Sequence, residues 1–184
     1  MNATIVGGIL SFSFACYQGK APCSLHPGTD NDKLTLSADT GQDGTIDQIR
    51  LGLGADWKEP VYENGDFKID GRWEISTNHW KSTLNNPKNK EGWIIGLTPV
   101  FHYTWTKGSV IPYFELGTGP HWISNITIED EYKSTQFQFG NILGFGISSK
   151  HFELGYRYLH ISNANIELPN PGTDFHNIHF GYKF

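Results

Sequence analysis

The chain has 184 residues and a formal charge of −5, enough for one domain that buries a sizeable core or closes a barrel. Charged residues make up 18% and aromatics 14%, against roughly 25% charged in an ordinary soluble domain. The acidic balance, with no basic stripe carrying interleaved aromatics, argues against a nucleic-acid partner. No run of about 18 or more apolar residues is present, so no transmembrane helix is expected.

Residues 1–32 form a leader that opens "MNATIVGGILSFSFACYQGKAP". It has a short apolar stretch with small residues, but no Lys or Arg before it. It reads either as a degenerate secretory signal or as a disordered leader. Cys16 and Cys23 both lie here. A disulfide between them is open, and neither has the spaced partners of a zinc site. No metal or cofactor is implied anywhere in the chain.

From Lys33 to Phe184 the hydrophobic period is two, the period of strands. A first strand over 33–39 carries Leu34, Leu36 and Ala38. In 47–57, Ile49, Leu51, Leu53, Ala55 and Trp57 share one face, with Gln48, Arg50, Gly52, Gly54 and Asp56 opposite. In 67–78, Phe67, Ile69, Gly71, Trp73 and Ile75 oppose Lys68, Asp70, Arg72, Glu74, Ser76 and Asn78. In 93–105, an apolar face from Trp93 to Trp105 opposes Gly96, Thr98, His102 and Thr104. Strands over 110–122, 136–147, 151–162 and 174–184 repeat the scheme and bring the total to eight.

The apolar set is too bulky to fill the interior of eight strands, which is just wide enough for side chains. The opposite set is small and charge-balanced. Arg50, Lys68, Arg72, Arg157 and Lys183 stand against Asp56, Asp70, Glu74, Glu115 and Glu153. Such groups are tolerable inside when paired and hydrogen-bonded. The expected fold is therefore an all-β, eight-stranded antiparallel transmembrane β-barrel with a polar interior, its aromatic-rich face turned to lipid. The competing readings are a soluble barrel with the polar face outward and a non-catalytic outer-membrane barrel serving adhesion or partner binding.

The expected links are 40–46, 58–66, 81–92, 106–109, 123–135, 148–150 and 163–173. The later odd-numbered links are long, and the even-numbered ones after the second are short. Outer-membrane barrels have short periplasmic turns and longer extracellular loops, which puts link 163–173 outside the cell.

That link joins the last two strands, within "YRYLHISNANIELPNPGTDF" at 156–175. His160 and Ser162 are two apart and share the face of Tyr156 and Tyr158. Asp174 is in phase with Ile178, Phe180 and Tyr182. Consecutive strands usually pair, so all three polar groups meet on the outer face of one hairpin. They are a candidate ester-hydrolase set: a serine nucleophile, an imidazole that removes its proton, and a carboxylate that orients the imidazole. Asn163 and the backbone N–H groups of 163–166 are oxyanion-donor candidates. The plainer alternative is a group of polar side chains at a membrane boundary.

The stretch "LHISNANIELPNPGTDF" resembles the C-terminal signature of the lipid A 3-O-deacylase (PagL) family. The shared pattern is His-x-Ser-Asn-Ala, then Pro-Asn-x-Gly, then an acidic residue. Here it is carried by His160, Ser162, Asn163, Ala164, Pro169, Asn170, Gly172 and Asp174. The segments "TGQDGTIDQIRLGLGADW", "LTPVFHYTW" and "IPYFELGTG" resemble the family more loosely, and the likeness spans about 35–184. It implies an outer-membrane enzyme that removes the ester-linked 3-hydroxyacyl chain at the 3-position of lipid A in lipopolysaccharide. It also implies His160 as base, Ser162 as nucleophile and Asp174 as the orienting acid, with Asn163 and Asn170 as oxyanion or supporting residues. The family usually carries Glu where Asp174 stands, and Glu167 is the alternative carboxylate. A homodimer is compatible with this reading.

Four further expectations concern polar residues outside the set. His176 sits on the lipid face beside Asp174, either shaping the pocket or as an interfacial histidine. His102 and His121 join the internal network. His176 and His179 point to opposite faces and make a poor metal pair. Lys81, Lys88 and Lys90 occupy an extracellular loop that is either solvated or meets lipid A phosphates.

Overall fold

The computed structural model describes residues 28–184; Cys16, Cys23 and their pairing lie outside them. The strands are β1 (Thr29–Asp43), β2 (Ile46–Trp57), β3 (Tyr62–Asn64), β4 (Phe67–Ser82), β5 (Glu91–Trp105), β6 (Ile111–Ile123), β7 (Thr127–Ile128), β8 (Glu131–Tyr132), β9 (Phe137–Ser148), β10 (Phe152–Ser162) and β11 (Thr173–Lys183). Eight of them run β2-β1-β11-β10-β9-β6-β5-β4, and a β2–β4 pairing closes the ring. All of these pairings are antiparallel. The short β3 extends the β4 edge as a hairpin, and β7 and β8 form a separate ribbon in the link between β6 and β9.

The faces are those expected from the alternation. Arg50 is fully buried, whereas its neighbour Ile49 is 60% exposed. Inside, Arg50 reaches Asp39 at 2.8 Å and Glu74 at 2.6 Å. Arg72 reaches Glu153 at 2.9 Å, and Arg157 grips Glu115 through two nitrogens at 2.6 and 3.0 Å. His102 bonds Glu115 at 3.0 Å and His179 bonds Asp39 at 2.5 Å. Fixed pairs of this kind let a narrow lumen hold charge without water. Asp39 and His179 are central to this network, although the charge balance read from the sequence left them out. His102 and His121 are buried as expected, with His121 Nδ1 3.1 Å from the Gly119 carbonyl.

Three features depart from the sequence reading. First, β1 starts at Thr29, earlier than Lys33, and runs on to Asp43. The run Thr-Asp-Asn-Asp has no apolar alternation to betray it, and the β1–β2 register shifts between Thr29 and Leu34. Second, the first link is the two-residue turn Gly44–Thr45, not 40–46. Gly44 has φ of 56°, and glycine at the first central position suits a tight hairpin turn of type II′. Third, the lumen is not polar along its whole length. Trp80, Ile94, Ile123, Leu159, Ile161 and Phe175 form a buried apolar layer at the rim that carries the long links 83–90, 124–136 and 163–172. Both faces are apolar there, as in Ile94–Ile95, so the alternation fades.

Candidate active site

Antiparallel register sets the geometry. On β10 and β11, His160 lies directly opposite Asp174, and Ile161 opposite Thr173. His160 and Asp174 both face outward, while Leu159, Ile161 and Phe175 point into the apolar layer behind them. His160 Nδ1 is 2.6 Å from Asp174 Oδ1, and His160 Nε2 is 2.9 Å from Ser162 Oγ. A carboxylate that accepts from Nδ1–H holds the proton on Nδ1 and leaves Nε2 free to accept from the serine hydroxyl. Ser162 is nearly buried, whereas His160 and Asp174 stay partly exposed at the outer surface.

Aspartate is long enough at this position because the pair is directly cross-strand, where Cβ atoms are about 4.5–5.5 Å apart. The alternative carboxylate, Glu167, is exposed; its contribution is its backbone carbonyl, which accepts from Asn163. Gly172 sits where a Cβ would press on the His160 ring, 2.6 Å from Cε1. A glycine there leaves the imidazole room to lie between nucleophile and acid.

The link 163–172 is tied down from two sides. Asn163 is fully buried, and its side-chain amide donates to the carbonyls of Lys133 and Glu167 at 3.2 and 2.8 Å. Both of its N–H bonds are thereby engaged, which fits the supporting role of the two expected for it. Asn163 follows Arg157, Leu159 and Ile161 in the inward phase and, just past the strand end at Ser162, turns inward as a support. Asn170 is also a support: its Oδ1 accepts from the Asn163 N–H at 2.9 Å. Ala164 and Asn165 adopt left-handed φ values of 55° and 64°, rare for non-glycine residues and common at functional turns. Among the described residues no acceptor meets their N–H groups, which makes them the oxyanion-donor candidates closest in sequence to Ser162.

Sequence reasoning missed two partners. Tyr158 donates its phenol to Asp174 Oδ1 at 2.6 Å, the oxygen that also faces His160. Lys133, from the link between β8 and β9, donates to the carbonyls of Pro171 and Gly172, each at 3.1 Å. Beside it, Ser134 donates to the Pro169 carbonyl at 2.6 Å. The only signal for these was parity for Tyr158; nothing in the sequence links Lys133 to a loop so distant in the chain. His176 bonds the Tyr156 hydroxyl at 2.5 Å rather than Asp174. In the link between β4 and β5, the Lys88 N–H bonds Asp130; β10 lies on the far side of the ring. No cluster of potential metal ligands occurs among the described residues.

Comparison with known proteins agrees with the sequence resemblance. Lipid A deacylase PagL of Pseudomonas aeruginosa is 25% identical over 142 residues, covering 77% of this chain and 79% of that protein. Lipid A deacylase PagL of Bordetella bronchiseptica is 27% identical over 185 residues, covering 96% and 94%. The crystal structure of the outer membrane enzyme PagL superposes with a TM-score of 0.72 at 24% identity, covering 80% of this chain and 97% of that one, and so shares its fold. The family model for lipid A 3-O-deacylase (PagL) matches residues 47–183, and the chain therefore belongs to that family.

Proposed function

We propose that this protein is an outer-membrane esterase that removes the ester-linked 3-hydroxyacyl chain from the 3-position of lipid A. The observation that carries the reading is the array Ser162–His160–Asp174 on the outer wall of the barrel, at the rim with the long loops. An acyl ester buried in a leaflet can reach only the outside of a barrel. The apolar band with Leu51, Ile75, Ile95 and Ile178 exposed suits contact with acyl chains, and the rim then lies at the outer leaflet.

Chemistry follows from the distances. Ser162 Oγ attacks the ester carbonyl carbon as its proton passes to His160 Nε2. Asp174 stabilises the imidazolium so formed. The Ala164 and Asn165 N–H groups are the donors for the oxyanion. When the tetrahedral intermediate collapses, the bond from carbonyl carbon to sugar oxygen breaks, and His160 returns the proton to that oxygen. Water then attacks the acyl-serine with His160 as base, releasing the 3-hydroxy fatty acid and restoring Ser162.

Mass spectrometry of lipid A from cells producing the protein tests this reading. The expected result is loss of one hydroxyacyl group with the wild-type chain and none with Ser162→Ala. Unchanged lipid A beside a folded wild-type barrel would overturn it.

A further inference from the structure

The outer face of the barrel carries a second polar pair next to the site, with no structural need for it. Asn141 on β9 is the cross-strand partner of His160, on the side away from Asp174. Thr118 on β6 is in turn the partner of Asn141. Both point outward, into the band that carries Leu143, Phe145 and Ile147. Thr118 Oγ1 donates to Asn141 Oδ1 at 2.8 Å. That bond fixes which way the amide faces, and among the described residues no acceptor meets its Nδ2. A half-exposed amide in an apolar band costs free energy unless something bonds it.

Its position relative to the nucleophile suggests what does. Ser162 pairs with Phe139, so Asn141 is its diagonal neighbour, one step further from the rim. Diagonal positions on paired strands lie about 7–8 Å apart, within reach of longer side chains. The other side of the serine is closed by His160, Asp174 and Tyr158. An acyl chain whose carbonyl sits at Ser162 therefore descends along β9, and the first group it brings past Asn141 is the substituent two carbons beyond the carbonyl.

We infer that Asn141, oriented by Thr118, binds the hydroxyl on the third carbon of the departing acyl chain and makes the enzyme selective for hydroxylated chains. This rests on the esterase reading above. The amide N–H donates to the hydroxyl oxygen, and Phe139 and Leu143 pack against the methylenes on either side. A chain without the hydroxyl leaves the amide unbonded against lipid, which is the kind of mismatch that polar sites reject.

The test measures kcat/KM of the detergent-solubilised full-length protein on two monoglucosamine esters that differ only in the 3-hydroxyl of the acyl chain. Wild type is expected to favour the hydroxylated ester. Asn141→Leu is expected to lose about tenfold on it, the size of one neutral hydrogen bond, and to keep or gain rate on the plain ester. That retained rate also reports that the variant is folded. Thr118→Val is expected to move the ratio the same way by less. A wild type with equal rates on both esters, or an unchanged ratio in both variants, overturns the inference while the esterase reading stands. A wild type that cleaves neither overturns both.

Discussion

A single strand, β10, carries two polar clusters on opposite faces. Inward, Arg157 is enclosed by Asp39, Glu74 and Glu115 at 2.6–3.2 Å. Outward and three residues on, His160 has one acid, one hydroxyl and an open side. The first cluster gives every charge several partners and no access. The second gives each group one or two partners and leaves the rest for substrate. The Arg157 cluster is fully buried while His160 and Asp174 are partly exposed, and the two differ in saturation as well. A saturated network fixes shape, while an unsaturated one keeps reactivity.

That contrast can be broken from either side. The largest expected effect is on turnover alone. Ser162→Ala should reduce deacylation on the order of 10^4-fold or more. It should leave the urea midpoint of the folded barrel within about 0.5 kcal/mol of wild type, as for a surface change. A large stability loss would mean that the outer set is structural after all.

Next comes the inner cluster. Arg157→Leu takes from Glu115 its two-nitrogen partner and leaves it His102 alone, while Asp39 keeps Arg50 and His179, and removing one partner of a buried ion pair costs about 3–5 kcal/mol. The expected outcome is a lower denaturation midpoint in detergent micelles, with near-normal kcat for the fraction that remains folded. Equal midpoints for Arg157→Leu and wild type would deny the network its role.

A third change sharpens the boundary between the two clusters. Lys133 is almost fully buried and holds the two carbonyls just ahead of β11, where Asp174 sits. Lys133→Met should let that strand end drift and lower kcat by about 10- to 100-fold, because small misplacements of catalytic groups are costly. The barrel's midpoint should hardly move, and Lys133→Arg should recover part of the rate. A fall in apparent kcat that tracks a lower midpoint, with KM unchanged, would make Lys133 a folding residue only.

How much of this was legible beforehand follows the physics of alternation. A strand with one apolar face announces its parity, so the inward Arg50, Arg72 and Arg157 and the outward His160, Ser162 and Asp174 could be assigned from spacing alone. Parity says nothing of bonding partners, so it could not tell whether Asn163 supports the turn or donates to an oxyanion. It also fails where both faces are apolar, which hid the layer around Trp80 and Phe175, and where both are polar, which hid the start of β1. Register between strands far apart in sequence has no local signal at all. Lys133 and the Asn141–Thr118 pair therefore had to wait for the structure.

The smallest effect concerns a residue that parity placed outward yet chemistry ties to the acid. Tyr158 donates to the same Asp174 oxygen that accepts the hydrogen bond from His160 Nδ1. This second donor spreads the carboxylate's charge and holds it against rotation, at the cost of slightly weakening its pull on the imidazole. The holding effect should dominate, since a second donor keeps the carboxylate aligned with the imidazole. Tyr158→Phe should then lower kcat about fivefold, comparable to losing one ordinary hydrogen bond, with KM unchanged and the fold intact. A higher kcat in Tyr158→Phe would mean that the weakening dominates, and that the outer cluster works best with still fewer bonds than it has.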